Sequence, residues 1–310
     1  MTATVEQLRI GRSRDSAIGC VFACDEAYAP FTAVAIASLY RHAATATDVT
    51  VLTPGFSSET LRHFEHIQGQ AGHSLRILKI PEEVTGEFLA YHHWPKTSYL
   101  RCAIAEFVSH ERVLYFDSDL LIRGPLQELS QYDLGDHPVA GVPELTAKDL
   151  ARAPVLNWLG LPPGDVYINS GVMIMNLSRM RQERFLQAAR QAQHSASSSN
   201  FRFGDQCVIN TVLAGRKASL DLRWNIRTGL IPEIAFHYLF TTGTRGIFHF
   251  CGFEKPWMPG AKPVLRDAWG EYLQLTDYTW DEVRRPDRPA NPAMERVIAE
   301  MREAYFKDRD

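Results

Sequence analysis

The chain has 310 residues, 45% of them hydrophobic and 22% charged, with a formal net charge of −3. That suits one large globular domain, alone or with an appendage. The charge balance gives no basic field for nucleic acid, and no apolar run reaches the roughly 18 residues of a membrane-spanning helix.

The N-terminus is polar, carries Arg9, Arg12 and Arg14, and has no apolar stretch before a cleavage site, so no signal peptide is expected. Residues 1–17 are read as an N-terminal extension. Ile18 to Cys24 predicts the first strand. Pro30 opens a helix with Phe31, Val34, Ala35 and Leu39 on one face. Val49 to Leu52 is a second strand. Ser57 or Ser58 caps a helix bearing Leu61, Phe64 and Ile67, stopped by Gly69 or Gly72. Leu75 to Ile80 is a third strand, ended by Pro81. Thr97 or Ser98 caps a helix with Leu100, Ile104, Phe107 and Val108 inward. Val113 to Phe116 is the next strand.

This alternation predicts an α/β fold with a mostly parallel central sheet flanked by helices. A strand after Pro138, a strand from Gly171 to Leu177, helices from Ser178 to Gln193 and Gly204 to Leu213, and a strand from Gly246 to Phe250 continue it. The Ser-rich stretch His194 to Asn200 reads as an exposed loop. A charged tail ends in a stripe of Met294, Val297, Ile298, Met301 and Tyr305, which predicts a packing face. With no excess of Lys and Arg, that tail lacks what anionic lipid binding needs. Five scattered cysteines with no Cys-x-x-Cys predict buried reduced thiols and a cytoplasmic protein.

Chemistry gathers in five segments. Asp117-Ser118-Asp119 follows the apolar run Val113 to Phe116, at the carboxyl end of a strand, where α/β sheets place ligands. Two neighbouring carboxylates attract a hard divalent cation, which attracts phosphate oxygens. An Asp-x-Asp arises about once by chance in a chain this long, and Asp308-Arg309-Asp310 is such a case. Strand-end position separates the first pair from it. Asp25 and Tyr28 follow the first strand; an acid there caps a helix or accepts from a base N–H, and an aromatic stacks on a ring. Lys96 to Arg101 opens a helix that carries Arg101 towards the crevice or into solvent. Tyr167 to Met173 sets Asn169-Ser170-Gly171 at a sheet mouth or in a turn. His249 to Trp257 supplies an imidazole suited to join two carboxylates on manganese, a turn at Gly252 and a phosphate-neutralising Lys255. No dinucleotide-type glycine fingerprint and no P-loop occurs.

Together these segments resemble glycosyltransferase family 8, which includes bacterial lipopolysaccharide galactosyl- and glucosyltransferases and glycogenin. The resemblance runs from about Ile18 to Trp257. It rests most on His249, Gly252, Lys255, Pro256 and Trp257, with Asn169-Ser170-Gly171-Val172 and Gly204-Asp205-Gln206 in family order. It implies a GT-A fold over residues 18–264 and a small C-terminal helical appendage over 265–310. It implies a retaining hexosyltransferase that uses a UDP-sugar (galactose or glucose) and Mn²⁺, with Mg²⁺ as an alternative. Asp117, Asp119 and His249 would hold the metal. Asp25 and Tyr28 would face uracil. Ser118, Gly252 and Lys255 would serve the nucleotide and diphosphate. Arg101, Glu144, Asn169, Asp205 and Gln206 would line the donor sugar. Ala27 and Glu144 depart from close relatives, which often carry a polar residue and Asp there.

The resemblance further implies either a double displacement, with Asp205 or Gln206 as nucleophile, or a same-face substitution in which the departing phosphate takes the acceptor proton. Gln206 as a positioning group suits the second. The acceptor would be a glycan, a glycolipid or a small natural product, bound by the variable loops Thr146 to Pro163 and Leu230 to Arg245. The site would be cytoplasmic, with the protein free or peripheral at the inner face of the membrane. The rival readings are a nucleotide-sugar-binding protein that does not transfer and a sugar nucleotidyltransferase.

Overall fold

A computed structural model of the protein describes residues 4–12, 17–68, 73–89, 95–145, 159, 161–162, 165–195, 201, 203–252 and 255–284. The helix stops Gly69 and Gly72, nearly all of the loop Thr146 to Pro163, and the C-terminal stripe lie outside them.

All the predicted strands but Gly246 to Phe250 join one eight-stranded sheet, which the strands Val5–Ile10 and Lys217–Ser219 complete. Its strands are β1 (Val5–Ile10), β2 (Ile18–Ala23), β3 (Thr47–Thr53), β4 (Ser74–Lys79), β5 (Arg112–Phe116), β7 (Val139–Leu145), β8 (Tyr167–Asn176) and β9 (Lys217–Ser219), in the order β1-β4-β3-β2-β5-β8-β7-β9. The block β4-β3-β2-β5 is parallel, as the alternation of strand and helix requires. β8 then runs antiparallel to both β5 and β7. The sheet is therefore mixed, with a parallel half that carries the strand-end Asp-x-Asp.

Side chains alternate across the sheet. Cys20 and Phe22 enter one apolar core, and Val21 enters the other. α1 (Ala29–His42) lies on the first face, with Pro30 in its first turn. Its residues from Ala29 to Tyr40 are all buried, more than the expected single face. The other side of α1 is covered by a second sheet and by the helix Pro263–Leu273, so the whole girth is removed from water. That second sheet has the order β10-β11-β6, with β6 (Leu120–Ile122), β10 (Ile226–Arg227) and β11 (Ile247–His249); only β11 was expected, as the strand Gly246 to Phe250. Ile122 N–H donates to Ser38 Oγ of α1 at 2.9 Å, which fixes it on the helix.

Other expectations shift. Residues 5–10 of the extension form β1, an edge strand antiparallel to β4. Its Glu6 and Arg9 pair with each other, a charged edge that discourages further strand addition. α2 (Ser58–Gln68) forms as predicted, with Phe64 and Ile67 buried. The segment after Pro95 is a 3₁₀ helix, Lys96–Ala103, running into a short α-helix, Ile104–Phe107. Neither Thr97 nor Ser98 caps it: Pro95, held extended, is the capping residue and has no side-chain bond to offer. The predicted helix from Ser178 to Gln193 is two helices, Leu177–Gln182 and Phe185–Ser195, broken where Arg184 takes a φ of 53°. β8 begins four residues before Gly171, so Asn169 and Ser170 are strand residues and not a turn.

Candidate active site

The site begins where β5 stops. Asp117 and Asp119 flank a short link to β6, and β6 pairs antiparallel with β11 in a register that sets His249 against Leu120. Phe250 N–H closes that register on Asp119 O at 2.9 Å. A backbone ladder thus delivers the imidazole beside the carboxylates. His249 Nε2 lies 3.2 Å from Asp119 Oδ1 and 4.0 Å from Asp117 Oδ2. One ligand atom from each of the three lies within 4.8 Å of the others. Two hard oxygens and a borderline nitrogen on a buried rim match a divalent cation such as manganese.

Each ligand is braced. Asp117 Oδ1 accepts from Tyr115 Oη at 2.7 Å and lies 3.0 Å from Arg101 Nη2. Asp117 N–H donates to Gly171 O at 2.9 Å. His249 Nδ1 is 2.9 Å from Asn225 Oδ1. Lys255 Nζ donates to Asp119 Oδ2 and, at 2.6 Å, to Phe250 O. Burial alone would raise the Asp119 pKa, but Lys255 and His249 outweigh it and hold the carboxyl well below its ordinary range.

Gly252, three residues before Lys255, takes a φ of 86°, where L side chains are strained. Trp257, the last residue of that motif, stacks on Phe31 of α1 with ring centroids 3.9 Å apart and planes at 14°. The tryptophan therefore packs the loop down, leaving the lysine to face the site. Tyr28 meets Phe31 edge-on at 5.5 Å. Asp25 Oδ1 accepts from Tyr28 N–H at 3.1 Å, so Asp25 is a helix cap here. Ser118 accepts from Thr32 Oγ1 at 2.7 Å.

A second group adjoins the first through Arg101. Its guanidinium is buried and donates from Nη1 to Ser170 Oγ at 2.9 Å. Its Nε stands 2.7 Å from Asp205 Oδ2 but aims its hydrogen at Ser98 O, 3.1 Å away. Asp205 is thus paired by charge without an aligned hydrogen bond at that oxygen. Burial, and secondarily nearby Asp117, push the Asp205 carboxyl up to about 6 against the pull of Arg101. Gln206 Oε1 accepts from Ser170 N–H at 3.1 Å, and Gln206 Nε2 donates to Glu144 Oε2 at 2.6 Å. Asn169 Nδ2 also reaches Glu144 Oε2, at 3.4 Å.

The helix Asp205–Val212 carries Asp205 and Gln206. Asn210 fixes it to β8 by accepting from Ile168 N–H and donating to Ile168 O, both at 2.9 Å. The buried ammonium of Lys217 donates to Asn210 O and Leu213 O at the end of that helix, and pairs with Asp165 at 2.8 Å.

The structure therefore brings Asp117, Asp119, His249 and Lys255 into one cluster, and Arg101, Glu144, Asn169, Asp205 and Gln206 into a contiguous one. Sequence reasoning missed Asn225 and Arg227. Arg227 opposes His249 across the β10–β11 pair and lies 3.0 Å from Glu144 Oε1. Both residues sit on a two-residue strand or beside it, where no periodicity marks them.

Comparison with known proteins bears on the family and the fold. The chain is 23% identical over 248 residues to general stress protein A of Bacillus subtilis, covering 76% of this chain and 84% of that one. It is 26% identical over 223 residues to the lipopolysaccharide 1,3-galactosyltransferase of Salmonella typhimurium, covering 69% of this chain and 65% of the relative, and it spans 62% of glycosyltransferase GlyF of Streptococcus pneumoniae. The crystal structure of the galactosyltransferase LgtC with donor and acceptor sugar analogs superposes with a TM-score of 0.71 at 24% identity, covering 86% of this chain and 99% of LgtC, which shows the shared GT-A fold. The model of glycosyl transferase family 8 matches residues 19–260. By that match across most of its length, the chain belongs to glycosyl transferase family 8.

Proposed function

We propose that the protein transfers a hexose, galactose or glucose, from a UDP-sugar to an acceptor hydroxyl with retention of configuration, aided by Mn²⁺ or Mg²⁺ on Asp117, Asp119 and His249. One observation carries this reading: the two carboxylates and the imidazole converge, with Lys255 beside them, on a polar shell built from Arg101, Glu144, Asn169, Asp205 and Gln206. A binder of the nucleotide alone has no use for that shell, and donor hydrolysis separates a nucleotide-sugar binder from a transferase. A divalent cation bound there would supply charge stabilisation for the diphosphate leaving group.

The chain's own groups take the other roles. Lys255, cationic and bonded to Asp119, is placed to follow the charge that grows on the leaving diphosphate. Asp25 and Tyr28 stand at the carboxyl end of β2, suited to the base, and Ser118 and the Gly252 backbone would serve the nucleotide and its diphosphate. Gln206 is held at both ends of its amide, by Ser170 N–H and by Glu144. A neutral amide so held positions a sugar better than it attacks one. Asp205 is spent on Arg101. Both facts favour same-face substitution: the acceptor oxygen bonds to the anomeric carbon as its bond to phosphate breaks, and the acceptor proton passes to the phosphate oxygen.

We assign this work to residues 18–264, with 1–17 and 265–310 as flanking parts, in the cytoplasm or at the inner membrane face. No described helix is long and apolar enough to cross a membrane. Leu230 to Arg245, expected as a loop, holds the helix Glu233–Thr241, and the acceptor, a glycan, glycolipid or small natural product, would approach over Leu230, Ile234 and Tyr238. These stand four residues apart and are 44%, 79% and 65% exposed. The deciding experiment is a thermal-shift panel of nucleotide sugars with and without Mn²⁺, followed by donor hydrolysis. A metal-dependent shift confined to UDP-sugars, with hydrolysis, is expected. No shift with any nucleotide sugar would remove the reading.

A further inference from the structure

We infer that Asn225 is a positioning residue for His249: it directs the imidazole proton to Nδ1 and so leaves the Nε2 lone pair facing Asp117 and Asp119. The inference rests on the proposed divalent-cation site and adds to it a residue that is not itself a ligand.

The assignment starts from a group whose polarity is not in question. Gly171 N–H can only donate, and it donates to Asn169 Oδ1 at 2.9 Å. The other end of that amide, Nδ2, faces the Glu144 carboxylate, which can accept it. Both ends of Asn169 are thereby oriented. Asn225 lies 2.8 Å from the same Asn169 oxygen, so the atom it presents must be its own donor, Nδ2. Its oxygen is then the atom 2.9 Å from His249 Nδ1, and only a protonated Nδ1 makes that bond. Asn225 and His249 are both buried, which leaves little room for water to take over the role. A hydrogen-bonded chain thus runs from the backbone of β8 through two amides to the ring. Outer partners of metal-bound histidines fix the tautomer in this way, and their loss typically weakens metal binding about 10–100-fold.

The chain also links two regions of the site. Asn169 belongs to the sugar-side cluster and His249 to the metal side, and Asn225 is the single described residue bonded to both.

The test compares two substitutions of similar size. Asn225→Leu removes the acceptor. Asn225→Asp keeps an oxygen for Nδ1–H but loses the donor to Asn169. Mn²⁺ binding is read from loss of the free-ion electron paramagnetic resonance signal, at a fixed UDP concentration with a protein-free UDP control, beside melting curves for each protein. Asn225→Leu should bind Mn²⁺ about 10–100-fold more weakly than the parent, and Asn225→Asp should return to within roughly threefold. Equal binding by the leucine variant, or an aspartate variant as weak as the leucine one, overturns the inference. A parent protein that binds no Mn²⁺ sinks the cation site itself, a separate result. Should Asn225→Leu not fold, ¹⁵N-histidine spectra of the parent loaded with Mg²⁺ decide. With His249 assigned by its loss in His249→Gln, the directly bonded proton should be on Nδ1, and a proton on Nε2 overturns the proposal.

Discussion

The His249 ring lies against the bare backbone of Gly171: a Cβ at residue 171 would stand 2.3 Å from His249 Cε1 and 2.9 Å from Asp117 Oδ2. The glycine is required by space, since the imidazole and a carboxylate already fill the position. Gly171→Ala should therefore displace the ligand cluster. Overpacking of this kind costs about 1–3 kcal/mol. The expected result is a lowered melting temperature and at least a tenfold loss of Mn²⁺ affinity, read by metal titration of a folded sample. Unchanged affinity would mean that the ring can move aside freely.

Asp119 faces two buried partners, the Lys255 ammonium and the His249 imidazole. Asp119→Ala should abolish metal-dependent UDP binding and transfer. It also leaves Lys255 buried without its carboxylate, and breaking a buried pair from one side costs about 3–5 kcal/mol. Because the Asp119 pKa is depressed on folding, this contribution is present above the unfolded carboxylate range and is lost as pH falls towards the folded value. The stability gap between parent and variant should accordingly narrow in acid, measured by denaturant melts at pH 7 and pH 3.

How much of this was readable from residues alone depends on the length of the element involved. The strand before Asp117 carries the four-residue apolar run Val113 to Phe116, so the acidic pair could be placed at the carboxyl end of a strand. His249 was reachable only through its motif, because its strand is three residues long and its pairing with β6 has no periodic trace. Asn225 and Arg227 are held by a two-residue strand and a 3₁₀ turn, which no hydrophobic pattern encodes. The reach of Arg101 to Asp117, Ser170 and Asp205 depends on the sheet order β5-β8 and on the helix Asp205–Val212 packing beside it. Local spacing cannot report contacts made across the fold. β1 was missed for a different reason: alternating charges at Glu6 and Arg9 masked a short edge strand.

Arg101 serves Asp117, Asp205, Ser170 and Ser98 from one planar group. Lysine keeps the charge but not the fork of donors. Arg101→Lys should reduce kcat/KM by about 10²-fold or more, since a small displacement at such a site is costly. It should also lower the melting temperature, because a buried carboxylate and the Ser170 oxygens lose partners. Full activity in the lysine variant would show that only charge matters here.

Asp205 gives the clearest pH signature. Burial raises its folded pKa to about 6 from an unfolded value near 3.8. A group raised on folding costs nothing below its unfolded pKa, where it is protonated in both states. The cost grows between the two values and is complete above the folded one. A shift of that size amounts to about 2–3 kcal/mol. Asp205→Asn removes the titration while keeping the shape. The variant should match the parent near pH 3.5, gain stability relative to it as pH rises from 3.8 to about 6, and hold that gain above it. Denaturant midpoints at pH 3.5, 5, 6.5 and 8 give the comparison. A stability difference that does not change across that range would show that Arg101 fully offsets the buried charge, and that Asp205 ionises as an ordinary carboxylate.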